Sequence, residues 1–194
     1  MKKIVIALGI VVVAALVLPK FVGSVVETEH QAMLADMADN DTVSVTSKSF
    51  VANWFGGSAV TEMTVHLQDA QMPDVTFKIE EQLLFGPIIF ADDGVHFALS
   101  HSTATINFEE LGLDEEIIDF INDKIKITGL LTFSKDVVSR IDIAEMSKEV
   151  DGNNVVFHAA SGELSIANKT HLTGDFKWDG MEENSSDTTV AVGP

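Results

Sequence analysis

Six histidines, thirty acidic side chains and a scatter of serines and glycines are the groups in this 194-residue chain that could carry chemistry. His96 and His101 are the two imidazoles nearest in sequence, and two imidazoles facing one ion would suit a borderline divalent metal. They lie five apart in a stretch that reads as one strand over 94–108, and an odd spacing on a strand sends side chains to opposite faces. The pair is therefore expected not to share an ion unless a bulge intervenes. No His-Glu-x-x-His pair occurs. The acidic clusters Glu80-Glu81, Asp92-Asp93, Glu109-Glu110, Asp114-Glu115-Glu116 and Glu182-Glu183 lack the spaced oxygen ligands and distal glutamate of a calcium loop. Two carboxylates from different strands could in principle hydrolyse a glycoside, but with thirty acids such a juxtaposition arises by chance, and a solvated acidic surface is the expected reading. Gly57-Ser58 and Ser161-Gly162 do not make a G-x-S-x-G elbow, and Gly56-Gly57 lies between strands instead of opening a helix onto a phosphate. The expectation is a chain with no catalytic residue, no metal ligand and no cofactor, and no enzymatic activity.

Composition narrows the classes further. There is no cysteine, which excludes disulfides, thiolate catalysis and Cys-ligated metal sites. Twelve Lys+Arg stand against 30 Asp+Glu, for a formal charge of −18, a field of the wrong sign for nucleic acid. The charge is divided unevenly. Lys2, Lys3 and Lys20 lie in the first twenty residues with no acid, so the remainder carries 9 basic and 30 acidic groups. A basic, apolar leader precedes an acidic body.

The elements that must hold these groups begin with that leader. Ile4–Pro19 is an uncharged run of 16 residues, and the apolar pattern resumes at Phe21. With Lys20 snorkelling, residues 4–26 form about 34 Å of helix, enough to span a bilayer. Residues 1–26 are therefore expected to be an anchor or signal-anchor carried by Ile4, Leu8, Val12, Leu16 and Phe21, with a cleaved signal as the alternative. The positive-inside rule then gives a single-pass inner-membrane protein with its N-terminus cytoplasmic and its body periplasmic, or a body secreted to the periplasm after cleavage.

Residues 27–41 read as a helical stalk with Met33, Leu34 and Met37 on one face. From Thr42 the period changes to two. Thr61, Met63, Val65 and Leu67 alternate with polar neighbours, as do Val75, Phe77 and Ile79, and Pro73 marks the hairpin between them. Further strands are expected at 94–108, 124–134, 137–144, 153–159, 162–168 and 171–178. One helix, over 109–123, carries Leu111, Leu113, Ile117, Phe120 and Ile121 on an apolar stripe. Residues 179–194 lack sustained periodicity and read as a disordered acidic tail. The expected fold is mainly β: a transmembrane and stalk helix, then a β-rich domain over 42–178 forming a curved antiparallel meander or sandwich with one inserted helix.

Trp54-Phe55-Gly56-Gly57-Ser58 entering a strand, followed by Phe85-Gly86-Pro87, resembles the bacterial YdgA-like envelope family, whose members begin with a Lys-flanked anchor and an amphipathic stalk. The family's second motif is commonly His-Gly-Pro, and phenylalanine stands in the histidine place here. Thr128–Ser134 and Ser139–Asp142 are also similar. The resemblance covers about residues 1–178 and implies an N-terminal portion or truncated member of a family with no established activity. It makes Trp54, Phe55, Gly56, Gly57, Gly86 and Pro87 structural residues: aromatics buried where strands meet, glycines free to take positive φ, and a bend after the strand ending at Phe85.

These readings together imply a membrane-anchored, extracytoplasmic envelope protein of binding or scaffolding type. Its partners would be the membrane through the N-terminal helix and another envelope protein or a lipid, with no nucleic acid. The alternatives are lipid or other apolar-ligand handling on a curved sheet and a hydrolase built on dispersed carboxylates.

Overall fold

The computed structural model describes residues 19, 21–36, 42–66, 74–107, 122–150, 153–167, 171–184 and 189–192. Among the described residues the period-two pattern of the body becomes fourteen strands: β1 (Val43–Ala52), β2 (Gly56–Val65), β3 (Val75–Phe85), β4 (Ile89–Ala91), β5 (Gly94–His96), β6 (Ser100–Asn107), β7 (Ile125–Leu131), β8 (Val137–Ile143), β9 (Met146–Val150), β10 (Asn153–Phe157), β11 (Ala160–Ala167), β12 (His171–Trp178), β13 (Met181–Asn184) and β14 (Thr189–Val192). Eight of them form one antiparallel sheet in the order β1-β2-β3-β6-β7-β8-β11-β12. This is an up-and-down meander with two hairpins inserted, β4–β5 between β3 and β6, and β9–β10 between β8 and β11. The inserted hairpin β9–β10 joins β13 and β14 in a second sheet, β14-β13-β10-β9. His158-Ala159 and Asp179-Gly180 are the bends where one sheet passes into the other, held by His158 N–H to Gly180 O at 2.9 Å. The described part of the acidic C-terminal run thus supplies β13 and β14.

Strand register sorts the side chains by face. Ala59, Glu81, Leu83, Phe85, Ser100, Ser102, Leu131 and Val137 share one face, while Lys78, Glu80, Gln82, Thr103, Thr128, Arg140 and Glu163 share the other. The first face is covered by helix α1 (21–36). Val22, Val26, His30, Met33 and Leu34 recur at helical spacing along it. Val26, Ala59, Leu83, Phe85 and Leu131 form the buried cluster between helix and sheet, with Val22, Phe50, Leu99 and Val137 packed around it. Gly23 permits the close approach, since a Cβ there would lie 3.0 Å from the Phe85 ring and 3.3 Å from Ala52 Cβ. Beyond the helix the same apolar face continues over β11 and β12, where Leu164, Leu172 and Phe176 are exposed.

This arrangement corrects the membrane reading. Among the described residues no helix is long and apolar enough to cross a membrane. Among the described residues the expected transmembrane and stalk helix is replaced by one helix packed on the sheet, so the anchored function, the membrane partner and the single-pass inner-membrane placement lose the helix they rested on. The physical reason lies in α1. It carries Glu27, Glu29, His30 and Asp36, and it spends its apolar stripe on the sheet instead of standing away from it. Of the expected anchor residues, Phe21 lies in α1 and is largely exposed, while Ile4, Leu8, Val12 and Leu16 lie outside the described residues. Most of the expected helix over 109–123 also lies outside them. Residues 122–124 form one helical turn leading into β7.

Candidate functional site

A cleft of about 220 Å3 opens between α1 and the sheet face beneath it. Its walls are apolar, from Val26 on the helix and Leu83, Leu131, Val137 and Ile166 on the sheet, and its polar groups include His30, Glu81 and Ser102, with Glu29, Asp36 and Lys135 also lining it. Glu81 occupies an inward position of β3. Its cross-strand neighbours, Ala59 on β2 and Ala104 on β6, are small enough to leave room for its carboxyl group. Ser102 on β6 hydrogen-bonds that carboxyl, and Gly129 on β7 keeps the floor open, since a Cβ there would lie 2.5 Å from Ser102 Oγ. His30 descends from α1 against the Phe50 ring, with centroids 5.5 Å apart. Its Nε2 lies 3.8 Å from Glu81 Oε2, too far for a hydrogen bond, and has no hydrogen-bond partner among the described residues.

The electrostatics of the pair follow from burial. Removal from water raises the Glu81 carboxyl above its ordinary value, opposed in part by the Ser102 hydrogen bond. Burial likewise lowers the His30 imidazole, with the Glu27 carboxylate acting in the opposite direction. Lys135 bonds Glu29 at 2.7 Å, which ties the β7–β8 turn to the helix. The cleft therefore offers a neutral imidazole nitrogen and a carboxyl group, with a gap between them that a small hydrogen-bond donor could bridge.

Both groups were visible in the sequence as polar residues in an apolar phase. Glu81 keeps step with Val75, Phe77, Ile79, Leu83 and Phe85, and His30 lies four residues from both Val26 and Leu34. Reading Glu81 as half of an acidic cluster hid that phase.

The resemblance motifs are placed differently from expectation. Trp54 and Phe55 are about half exposed at the β1–β2 turn, their centroids 6.4 Å apart, so they do not bury a large aromatic area. Among the described residues only Gly94 and Gly180 are glycines at positive φ, so Gly56 and Gly57 serve another end. A Cβ on Gly56 would lie 2.3 Å from Leu83 O, and one on Gly57 2.1 Å from Val51 O. Gly86 is tighter still, at 1.7 Å from Ala98 O, while its N–H donates to Leu99 O at 2.8 Å. With Pro87 it turns the chain out of β3 into the β4–β5 hairpin.

That hairpin overturns the expectation for the histidines. The stretch over 94–108 is two strands, β5 and β6, separated by Phe97-Ala98-Leu99. The hairpin folds so that His96 stacks on His101, with ring centroids 4.8 Å apart, and Asp93 from its turn meets both rings. Those two hydrogen bonds hold the Asp93 carboxyl down at about 2, that to His96 contributing most. The odd spacing held only for an unbroken strand.

A family match covers the chain over residues 1–194, to bacterial proteins of unknown function described as DUF945. This chain belongs to the DUF945 family. No curated protein and no solved structure matches it.

Proposed function

We propose that this DUF945 protein is a non-enzymatic binding domain that takes a small apolar molecule with a cationic, hydrogen-bond-donating head in the cleft beneath α1. One observation carries the reading: a buried imidazole nitrogen with no hydrogen-bond partner among the described residues stands 3.8 Å from the half-buried Glu81 carboxyl in an apolar cleft. With the imidazole proton on Nδ1, His30 Nε2 and the carboxylate both accept hydrogen bonds, so a group that bridges them donates twice. A primary ammonium does so and carries the charge that Glu81, Glu29 and Asp36 favour over the one lysine lining the cleft, Lys135. The volume sets the size. Drug-sized ligands occupy pockets of about 300–1,000 Å3, so a site of about 220 Å3 suits a short aliphatic or aromatic amine. Binding is favoured over chemistry because Ser102 bonds Glu81 while His30 Nε2 bonds neither of them, which leaves no relay from a hydroxyl to the imidazole. The motifs Trp54–Ser58 and Phe85–Pro87 support a place among the YdgA-like members of the family.

Isothermal titration with hexylamine, hexanol and hexanoate tests the head group at constant tail length. Saturable binding of hexylamine, weaker binding of hexanol and none of hexanoate is expected, with hexylamine binding lost in Glu81→Gln. Equal binding of hexanoate, or hexylamine binding that survives Glu81→Gln, would refute the proposal.

A further inference from the structure

On the opposite face of the sheet from α1, the β4–β5 hairpin folds over the start of β6. Asp92-Asp93 form its turn, closed by Gly94 at φ 137°, a conformation that L side chains rarely adopt. Asp93 Oδ1 lies 2.9 Å from His96 Nε2 and 3.2 Å from His101 Nε2. The donor atoms of all three residues fall within 4.8 Å of one another. His101 is only 4% exposed, so its ring is fixed by packing, while the side chains of His96 and Asp93 remain 24% and 33% exposed. The set has one rigid ligand at its base and two adjustable ones at its mouth.

We infer that Asp93, His96 and His101 form a binding site for a divalent transition metal of the zinc type. Two imidazoles and one carboxylate are a donor set for zinc and its neighbours, whereas calcium and magnesium require oxygen throughout. Adjacent ligands around a tetrahedral ion with bonds of about 2.0–2.1 Å lie about 3.3–3.4 Å apart, so Asp93 is nearly in place at 3.2 Å from His101 and must open slightly from 2.9 Å to His96. The two imidazole nitrogens need only a rotation of the partly exposed His96 to complete the set. Binding moves the proton of any ring now donating from Nε2 to Nδ1, and Asp93 exchanges hydrogen bonds for a metal–oxygen bond. Three protein ligands leave the solvent side for water.

The site depends on the Gly86-Pro87 turn, because Gly86 lets β3 pass against Ala98 and so sets where the hairpin lands on His101. It is independent of the cleft, which lies on the other face of the sheet.

The test uses the full chain, freed of metal by chelation and titrated with Zn2+ against Mg2+ and Ca2+, with Co2+ absorption reporting ligand number. One equivalent of Zn2+ is expected to bind, and the imidazole nitrogen resonances of His96 and His101 are expected to shift. Loss of an outer partner alone costs metal sites about 10–100-fold in affinity, so His96→Gln and Asp93→Asn are each expected to cost at least about tenfold. His158→Gln, remote from the hairpin, is expected to cost nothing. Both ligand substitutions lie on the solvent-facing side of the cluster, and circular dichroism verifies that each variant is folded. Absence of stoichiometric Zn2+ binding, or binding that survives both substitutions, overturns the assignment.

Discussion

Replacing Glu81 with glutamine separates a group kept for binding from a group kept for stability. In the native state burial raises the carboxyl above its ordinary value of 4.5. Between 4.5 and that raised value the folded protein binds more protons than the unfolded chain. Stability therefore falls as pH rises through this window and stays reduced above it. Every unit of elevation corresponds to about 1.4 kcal/mol. At this chain length 1 kcal/mol moves Tm by about 2–4 °C, so each unit removed by Glu81→Gln raises Tm at pH 7 by about 3–6 °C. Glutamine has the shape of the protonated acid and can still accept from Ser102, so below pH 4.5 the two proteins should melt together. Differential scanning calorimetry of both from pH 3.5 to 8 supplies the comparison. His30 titrates with the opposite sign, since its lowered value makes stability fall as pH drops below 6.5. Because that contribution vanishes above pH 6.5, the difference between the two proteins at pH 7–8 isolates Glu81. A variant that melts below the wild type at pH 7, or a difference that does not vanish in acid, would sink the reasoning.

Four other outcomes can be checked independently. His158 is raised above 6.5, chiefly by the Glu145 carboxylate 3.1 Å from its Nδ1 and also by Glu182. Its contribution at the bend between the sheets is complete below pH 6.5 and is lost as pH rises through the elevated value. Amide protection factors in β10 and β13, corrected for intrinsic exchange, should fall across that range, and His158→Gln should remove the fall. Gly86→Ala places a methyl 1.7 Å from Ala98 O and is expected to cost about 1–3 kcal/mol in chemical denaturation while displacing the β4–β5 hairpin. Leu83→Ala, in the buried cluster, should cost about 2–5 kcal/mol, whereas Leu172→Ala on the exposed end of the same face should stay within about 0.5 kcal/mol. Lys135 adopts φ 69° in the β7–β8 turn, where glycine is easier to accommodate. Lys135→Gly removes that strain but also its 2.7 Å ion pair with Glu29, so Lys135→Asn and Glu29→Gln measured beside it should separate the two effects.

The strands were legible because their signal is local. The alternation of Thr61, Met63 and Val65, and of Val75, Phe77 and Ile79, marked β2 and β3 and their shared face. The cleft was legible in principle, since Glu81 and His30 are polar residues in apolar phase, and a polar group in that phase must either find a partner or wait for one. The metal cluster was not legible. It depends on Phe97-Ala98-Leu99 breaking a strand whose pattern reads as continuous, and on Gly86 allowing a contact with Ala98 twelve residues away. Periodicity gives the face of each residue only while the ladder is unbroken. One irregular step returned His101 to the face reached by His96, and a folded hairpin added Asp93. The two candidate sites thus lie on opposite faces of one sheet, and each is marked by a polar side chain that the packing around it fixes. His30 is held against the sheet with an unused nitrogen. His101 is held beneath a hairpin with its ring toward a carboxylate. What distinguishes them is supply: the cleft offers acceptors to a donor that a ligand must bring, whereas the hairpin gathers three metal-binding side chains that a rotation of His96 would set around an ion.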